Sequence, residues 1–230
     1  MKNDIQIIRK FVRELSRNNN REWFMAHKDE YLDAKSRFDA ITEKLIAGIS
    51  QFDPSCQNLT VKDCTYRIYR DVRFSKDKSP YKTHFGAYVC PGGKKSGYAG
   101  YYFHIGTGEG EGYPASHMLA VGDYRYNPEA LRILKEDILD GDFDKIIKEE
   151  VDSRFIFDDE QMYAKVPKEF PADSPYEYYL RLKTFCLCYN PDNDFMLSDD
   201  AIEKAIRLFR TTYSFTQFVN RAIRYSKEEL

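Results

Sequence analysis

The sequence lacks the long apolar runs that a membrane-spanning helix needs. No stretch of about 18 consecutive apolar residues occurs in the chain of 230 residues. The first residues, Met1 to Ile5, also lack an apolar run and a small-residue cleavage site. The sequence therefore predicts a protein that is neither secreted nor inserted in a membrane, and a cytoplasmic location.

Paired cysteines and a surplus of one charge are missing as well. The five cysteines show no C-x-x-C spacing and lie mostly among strand-like apolar residues, which indicates reduced, buried thiols. The formal net charge of -2 argues against a dedicated non-specific nucleic-acid binder, because such proteins normally carry a positive face. We expect any binding of nucleic acid to be local.

Aromatic residues, in contrast, are abundant. They make up 15% of the chain, with 18 tyrosines and 16 phenylalanines. This amount of apolar and amphipathic surface excludes a disordered chain. The length suffices for one large domain with a buried core and does not require two, so we expect residues 1–230 to form a single globular domain.

The spacing of the apolar residues divides the chain into three parts. Three-and-four spacing predicts helices within residues 1–53, and alternation rich in Tyr, Phe, Val and Thr predicts strands within residues 60–126. In residues 127–230 a helix is predicted to begin at Asn127-Pro128, a buried strand is predicted over Phe185–Tyr189, and a last helix is predicted from Ser198 to Tyr225. The order predicts an α+β fold with a mainly antiparallel central sheet, flanked by N-terminal and C-terminal helices.

Two alternating runs, Tyr81–Val89 and Tyr98–Ile105, predict a β-hairpin joined by a glycine-rich turn. Centring the turn on Lys94 places His84 opposite His104. A slip of two residues would change these partners but keep both histidines on one face, whereas a slip of one residue in a single strand would separate them. The predicted surface gathers Lys82, His84, Tyr88, Tyr102 and His104.

Positive charge is concentrated between Arg67 and His84, where six Lys or Arg accompany two Asp and one His. Cations gathered so closely repel one another, so an anion or remote carboxylates are needed to offset the cost. Arginine offers a planar fork to phosphate, sulfate or carboxylate, and histidine a donor that responds to pH. The predicted ligand-binding residues are Arg67, Arg70, Arg73, Lys76, Lys78, Lys82, His84, Tyr102 and His104. A strand over residues 67–74 would place alternate polar residues on one face.

Three other interpretations of this basic motif stay open. The arginines could pair with Asp63, Asp71, Asp77 or remote carboxylates, leaving the loop lysines solvated. The cations, continued by Lys94 and Lys95, could form a stripe that binds nucleic acid or another polyanion. Exposed aromatic side chains beside the motif would instead mark a surface that binds a protein partner.

The sequence does not specify whether the protein is an enzyme. If it is, general acid–base chemistry by His84 or Asp71, with Arg70 and Arg73 holding an anionic substrate, is the simplest scheme. A serine triad has no local signature, and the glycine-rich turns lack the spacing of a phosphate loop. The lysines near the histidines oppose a metal cation. We therefore predict no metal and no cofactor.

Several motifs, in order, are similar to those of a known family. They are Asn19–Phe24, the basic motif from Arg70 to His84, Gly100–Ile105, Asn127–Leu131 and Tyr179–Lys183. Over most of its length the chain resembles the bacterial and fungal domain-of-unknown-function family 2461. The resemblance implies a single domain with the basic motif as the shared centre, and it implies no catalytic assignment.

Overall fold

The computed structural model describes the backbone of residues 2–228 and the side chains of residues 4–228. The predicted ranges that begin at residue 1 or end at residue 230 extend beyond the described residues. Within the described chain, no helix combines the length and the apolar character needed to cross a bilayer.

The N-terminal part is helical, as predicted. Helix α1 (Lys2–Arg17) packs along α3 (Lys28–Ser50), and the short α2 (Arg21–Ala26) lies between them in the chain. The side chain of Asn20 caps α2 by accepting a hydrogen bond from the backbone N of Trp23 at 2.9 Å. The apolar residues at three-and-four spacing on α1 and α3 face the core, which fixes the two long helices against each other.

The centre of the fold is a five-stranded antiparallel sheet with strand order β1-β2-β3-β5-β4. Its strands are β1 (Phe85–Val89), β2 (Gly100–Ile105), β3 (Met118–Asp123), β4 (Ile156–Phe157) and β5 (Phe185–Tyr189). This confirms the predicted α+β class with an antiparallel sheet. The buried strand predicted over residues 185–189 is confirmed too.

Helices also follow the first three strands. They are α5 (Pro128–Ile138), α6 (Asp142–Glu149), α7 (Glu177–Arg181), α8 (Asn193–Met196), α9 (Ala201–Thr211) and α10 (Tyr213–Glu228). The predicted start of α5 is confirmed, since the Asn127 side chain accepts from the backbone N of Glu129 at 2.7 Å. The single C-terminal helix predicted from Ser198 is instead two helices, because Thr212 leaves helical geometry between them.

The two faces of the sheet have different surroundings. The inner face packs against α1, α3 and α10 in the main core. Its buried residues include Phe85, Ala87, Val89, Tyr101, Phe103, Ile105, Leu119, Val121, Phe185 and Leu187. The outer face carries the alternate residues, Gly86, Tyr88, Tyr102, His104, Met118, Ala120, Cys186 and Cys188. Five of them form a small cluster of their own, separate from the main core.

The strand predicted over residues 67–74 is wrong. Within this segment only Tyr69 forms a bridge, to Tyr81, and the rest of the chain there is irregular. Local bonds from side chains to the backbone replace a ladder of strand hydrogen bonds. The first hairpin strand accordingly begins at Phe85 rather than Tyr81, and a short helix, α4 (Val61–Cys64), precedes the segment.

The predicted hairpin register is wrong by two residues. Gly86, not His84, lies opposite His104, and Tyr88 lies opposite Tyr102. A Cβ atom at Gly86 would lie 2.5 Å from the Tyr102 hydroxyl, so the ring of Tyr102 occupies space that only a glycine leaves. Because the slip is two residues, both histidines still lie on the outer face.

Candidate functional site

The outer face of the sheet forms the floor of a cavity of about 490 Å³, which we call the tyrosine pocket. The floor residues are Tyr88, Tyr102, Met118, Ala120 and Cys186. The walls come from segments outside the strands and include Tyr66, Lys82, Tyr113, Tyr124 and Arg125. Five tyrosines thus surround one concave surface, a common form of small-molecule site.

The hydroxyl groups on the floor are already used within the protein. Tyr88 donates to the carbonyl oxygen of Gly122 at 2.5 Å and lies 3.0 Å from that of Tyr98. The Tyr102 hydroxyl lies 3.0 Å from Nδ1 of His104. With these hydroxyls occupied, the two floor tyrosines offer a ligand mainly their rings.

The predicted proximity of His84, His104 and Tyr102 is found. The imidazole rings of His84 and His104 stack with their centres 4.5 Å apart. Nε2 of His104 lies 3.1 Å from the carbonyl oxygen of Pro114, which can only accept, so Nε2 carries the proton. Nδ1 of His104 therefore accepts from Tyr102, and burial lowers the pKa of His104 to about 4.

His84 is buried and only partly hydrogen-bonded. Its Nε2 lies 3.2 Å from the hydroxyl of Tyr113, while Nδ1 has no partner among the described residues. Burial, with the neighbouring His104 and Lys82, lowers the pKa of His84 to about 2. His84 is therefore neutral near pH 7. It can form a hydrogen bond with a ligand but supplies no positive charge.

Lys82 is the cation in the wall of the pocket. Its ammonium group lies 5.2 Å from the centre of the Tyr66 ring, and no carboxylate of the described chain forms an ion pair with it. Burial, together with the charge of Arg67, lowers the pKa of Lys82. A half-buried cation without a counter-charge is a natural place for an anion to bind.

A second cavity of about 1170 Å³ adjoins the first, and we call it the basic groove. It shares Tyr66 and Lys82 with the tyrosine pocket. Its charged residues are Lys35, Lys62, Arg67, Lys82, Lys94 and Lys95 against Asp39 and Asp63. Lys35 pairs with Asp39, and Lys94 donates to the carbonyl of Lys62. The groove therefore has a strong excess of positive charge.

The middle of the basic motif, residues 70–79, is a loop that its own side chains hold together. Arg70 pairs with Asp77 and donates to the carbonyl of Ser79 at 3.1 Å. Arg73 pairs with Asp71 at 2.7 Å, as one of the open interpretations expected. Hydrogen bonds from Ser79 and Arg70 lower the pKa of Asp77 to about 2. The negative charges that offset these arginines are thus local.

The structure places the predicted site residues in three regions: the tyrosine pocket, the basic groove and the loop of residues 70–79. Lys82, His84 and Tyr102 line the tyrosine pocket, His104 lies behind them, and Arg67 lines the basic groove. The others, Arg70, Arg73, Lys76 and Lys78, lie in the loop and line neither cavity, so their binding of a ligand stays a prediction. Asp71 likewise lines neither cavity, which separates it from His84, the other suggested acid–base group.

Sequence reasoning missed the walls of the pocket. Tyr66, Tyr113, Tyr124 and Arg125 lie outside the strands, so no alternation places them on the outer face. The one sequence signal for these walls was the large number of tyrosines, and this number does not show which tyrosines line the pocket. Within the described residues, no cluster of three or more His, Cys, Asp or Glu side chains is placed to hold a metal ion.

Comparisons with known proteins give one match. The model of a family described as "Conserved hypothetical protein (DUF2461)" matches residues 8–218, which is most of the chain. Neither the curated proteins nor the solved structures contain a match. The matched range includes the strands β1 to β5 and every lining residue of the tyrosine pocket.

Proposed function

We propose that the chain, which belongs to the DUF2461 family of conserved hypothetical proteins, binds a small anionic ligand on the outer face of its sheet. The ligand would carry a phosphate or carboxylate group. The family description names no activity, so the proposal rests on the residues of the tyrosine pocket and the basic groove. A cytoplasmic location, with the five thiols reduced, belongs to the same proposal.

The proposal of an anion site rests mainly on Lys82. It is half-buried, stands in the wall common to both cavities and has no carboxylate partner in the described chain. Keeping such a cation away from water costs free energy, which a bound anion would recover. Arg67 on one side and Arg125 on the other would add positive charge to the same ligand.

Neutral groups around Lys82 would orient the ligand. One ring nitrogen of His84 has no partner in the part of the chain that the structure describes, and the hydroxyl of Tyr113 lies 3.2 Å from the other nitrogen. A neutral imidazole and a phenol donate or accept hydrogen bonds according to the ligand that is present. His84 remains the candidate for proton transfer, although its low pKa makes it a weak base.

Thermal unfolding with inorganic phosphate, sulfate and small carboxylates, at fixed ionic strength, tests the proposal. An anion at a hundredfold its Kd should raise the free energy of unfolding by about 2.7 kcal/mol. Lys82→Met should lose this gain. Without ligand the variant should be at least as stable as the wild type, because it no longer holds an unpaired, half-buried charge.

The matched control is Lys165→Met, which removes the same charge from an exposed position outside both cavities. It should keep the full stabilisation by the anion. If no anion stabilises the wild type beyond a chloride control, or if Lys82→Met responds as the wild type does, the proposal fails.

A polyanion-binding module is the second candidate, and the excess of cations in the basic groove favours it. In the loop of the basic motif, Phe74 is 96% exposed next to Arg73, where it could stack on a base. Affinity for a single-stranded oligonucleotide would then fall steeply with salt. Lys95→Met should lower the slope of log K against log salt by about 0.7 for one lost phosphate contact. A protein-binding surface, marked by exposed aromatic side chains beside the basic motif, stays a prediction from the sequence.

A further inference from the structure

We infer that the ligand joins an aromatic ring to a phosphate, as a nucleotide or another aryl phosphate does. The ring would lie in the tyrosine pocket and the phosphate at the end of the basic groove. This inference rests on the proposed anion site and names the class of ligand. It starts from the fact that two cavities of different chemistry share a wall.

The shared wall consists of Tyr66 and Lys82, the two residues that line both cavities. The Tyr66 ring has Lys82 5.2 Å and Lys94 6.0 Å from its centre, within the range of cation–π contacts. Tyr66 is still 44% exposed, so part of its surface remains open. One ligand that spans the wall would therefore meet an aromatic surface and an ammonium group together.

The chemistry of the tyrosine pocket suits a flat ring. On its floor the hydroxyls of Tyr88 and Tyr102 are already bonded to protein atoms, and Met118 and Ala120 are apolar. At the rim, Tyr113 and Tyr124 are 60% and 50% exposed. Rings that surround a cavity of about 490 Å³ can contact both the faces and the edges of an aromatic group.

Two polar residues in the pocket wall could form hydrogen bonds with the edge of such a ring. His84 lines the pocket, and its buried Nδ1 has no hydrogen-bond partner among the residues that the structure describes. The carboxylate of Asp123 also lines the pocket, where it accepts from the backbone N of Tyr124 and Arg125. A nucleobase presents hydrogen-bond donors and acceptors around its ring, whereas a sugar phosphate lacks the ring itself.

The basic groove suits the phosphate end of the ligand. Arg67, Lys82 and Lys95 line it without an ion-pair partner among the residues described. Guanidinium and ammonium groups are the usual phosphate partners in proteins, and several of them together favour a group with more than one negative charge. A phosphate ester fits this excess of charge better than a single carboxylate.

The test compares the affinities of five probes at fixed ionic strength: inorganic phosphate, glycerol 3-phosphate, phenyl phosphate, adenosine 5′-monophosphate and uncharged adenosine. We expect the two aromatic phosphates to bind roughly tenfold to a hundredfold more tightly than glycerol 3-phosphate, the range that one stacked ring supplies. Tyr66→Leu should remove this advantage, so that phenyl phosphate and adenosine 5′-monophosphate bind this variant no more tightly than glycerol 3-phosphate does. Tyr66→Phe, which keeps the ring, should retain it.

The control for Tyr66→Leu is Tyr225→Leu, at an exposed tyrosine outside both cavities, which should bind every probe as the wild type does. Tyr124→Leu, on the opposite rim, repeats the test should Tyr66→Leu not fold. If all phosphates bind the wild type equally tightly, or if neither leucine variant reduces the advantage of the aromatic phosphates, the anion site stands and the inference of an aromatic ligand is overturned. If none of the phosphates binds, the proposed anion site itself fails.

Discussion

The two faces of the central sheet are built from alternate residues of the same strands. One face packs into the main core, whereas the other forms the floor of the tyrosine pocket. On β2, Tyr101 and Phe103 point into the main core, while Tyr102 and His104 lie on the outer face, where Tyr102 lines the tyrosine pocket. The inner face is covered by helices, and the outer face by loops. The comparison suggests that the inner face supplies most of the stability, which leaves the outer face free to carry polar and buried titratable groups.

The largest expected effect tests this division directly. Phe103→Ala, on the inner face, should lower the free energy of unfolding by about 3–5 kcal/mol, because it removes a fully buried ring from a packed core. Met118→Ala, on the outer face, should cost about 2 kcal/mol or less, since its surroundings are a small cluster beside a cavity. Urea denaturation of both variants measures the difference. Equal costs would show that the two faces contribute alike.

A second test uses the histidines that the outer face buries. The pKa of His104 is about 4 in the folded protein, against about 6.5 when unfolded, so between these values the unfolded chain binds a proton that the folded chain does not. The contribution of His104 to stability is complete above pH 6.5 and is lost as the pH falls towards 4. The free energy of unfolding that is lost in this way should amount to about 3 kcal/mol.

His104→Gln should therefore show a flatter decline of the free energy of unfolding between pH 7 and pH 4 than the wild type. Met118→Ala, at the position paired with His104 on β3, removes no titrating group and should keep the wild-type slope. Lowered pKa values of His84 and His117 act in the same direction, so the slope should flatten without disappearing. An unchanged slope in His104→Gln would contradict the burial of a neutral imidazole.

The smallest expected effect concerns one hydrogen bond on the outer face. Tyr102→Phe keeps the ring but leaves Nδ1 of His104 without its donor at 3.0 Å. A buried acceptor that loses its partner should cost about 1–2 kcal/mol. Tyr225→Phe, at an exposed tyrosine, should change stability by less than about 0.5 kcal/mol. If Tyr102→Phe is as mild as this control, the outer face tolerates unpaired polar groups better than we expect.

The elements that could be predicted from the sequence are those whose signal is local. Apolar spacing located α1, α3 and β5, and the Asn127-Pro128 pair located the start of α5. The alternation of apolar and polar residues along the hairpin also predicted correctly that His84 and His104 lie on the same face of the sheet. These features depend on the period of a helix or strand and on capping, which neighbouring residues determine.

What could not be predicted depends on contacts between distant segments. The side chain of Asn19 donates to the carbonyl of Tyr81 at 2.9 Å and accepts from its backbone N at 3.1 Å, so a residue before α2 fixes the chain before β1. The spacing of apolar residues along the chain gives no signal for these two hydrogen bonds. The same holds for Tyr66 and Tyr113, whose loops reach the pocket only through the tertiary fold, and for the self-contained loop around Arg70.

Gly86 shows how one missing side chain shapes the candidate site. Its backbone is not among the glycines with positive φ, so an alanine would be acceptable to the main chain itself. Its added carbon would, however, meet the Tyr102 hydroxyl at 2.5 Å and push the ring out of the floor. We therefore expect positions 86 and 102 to be coupled: a larger residue at 86 would need a shorter one at 102, which would change the depth of the pocket.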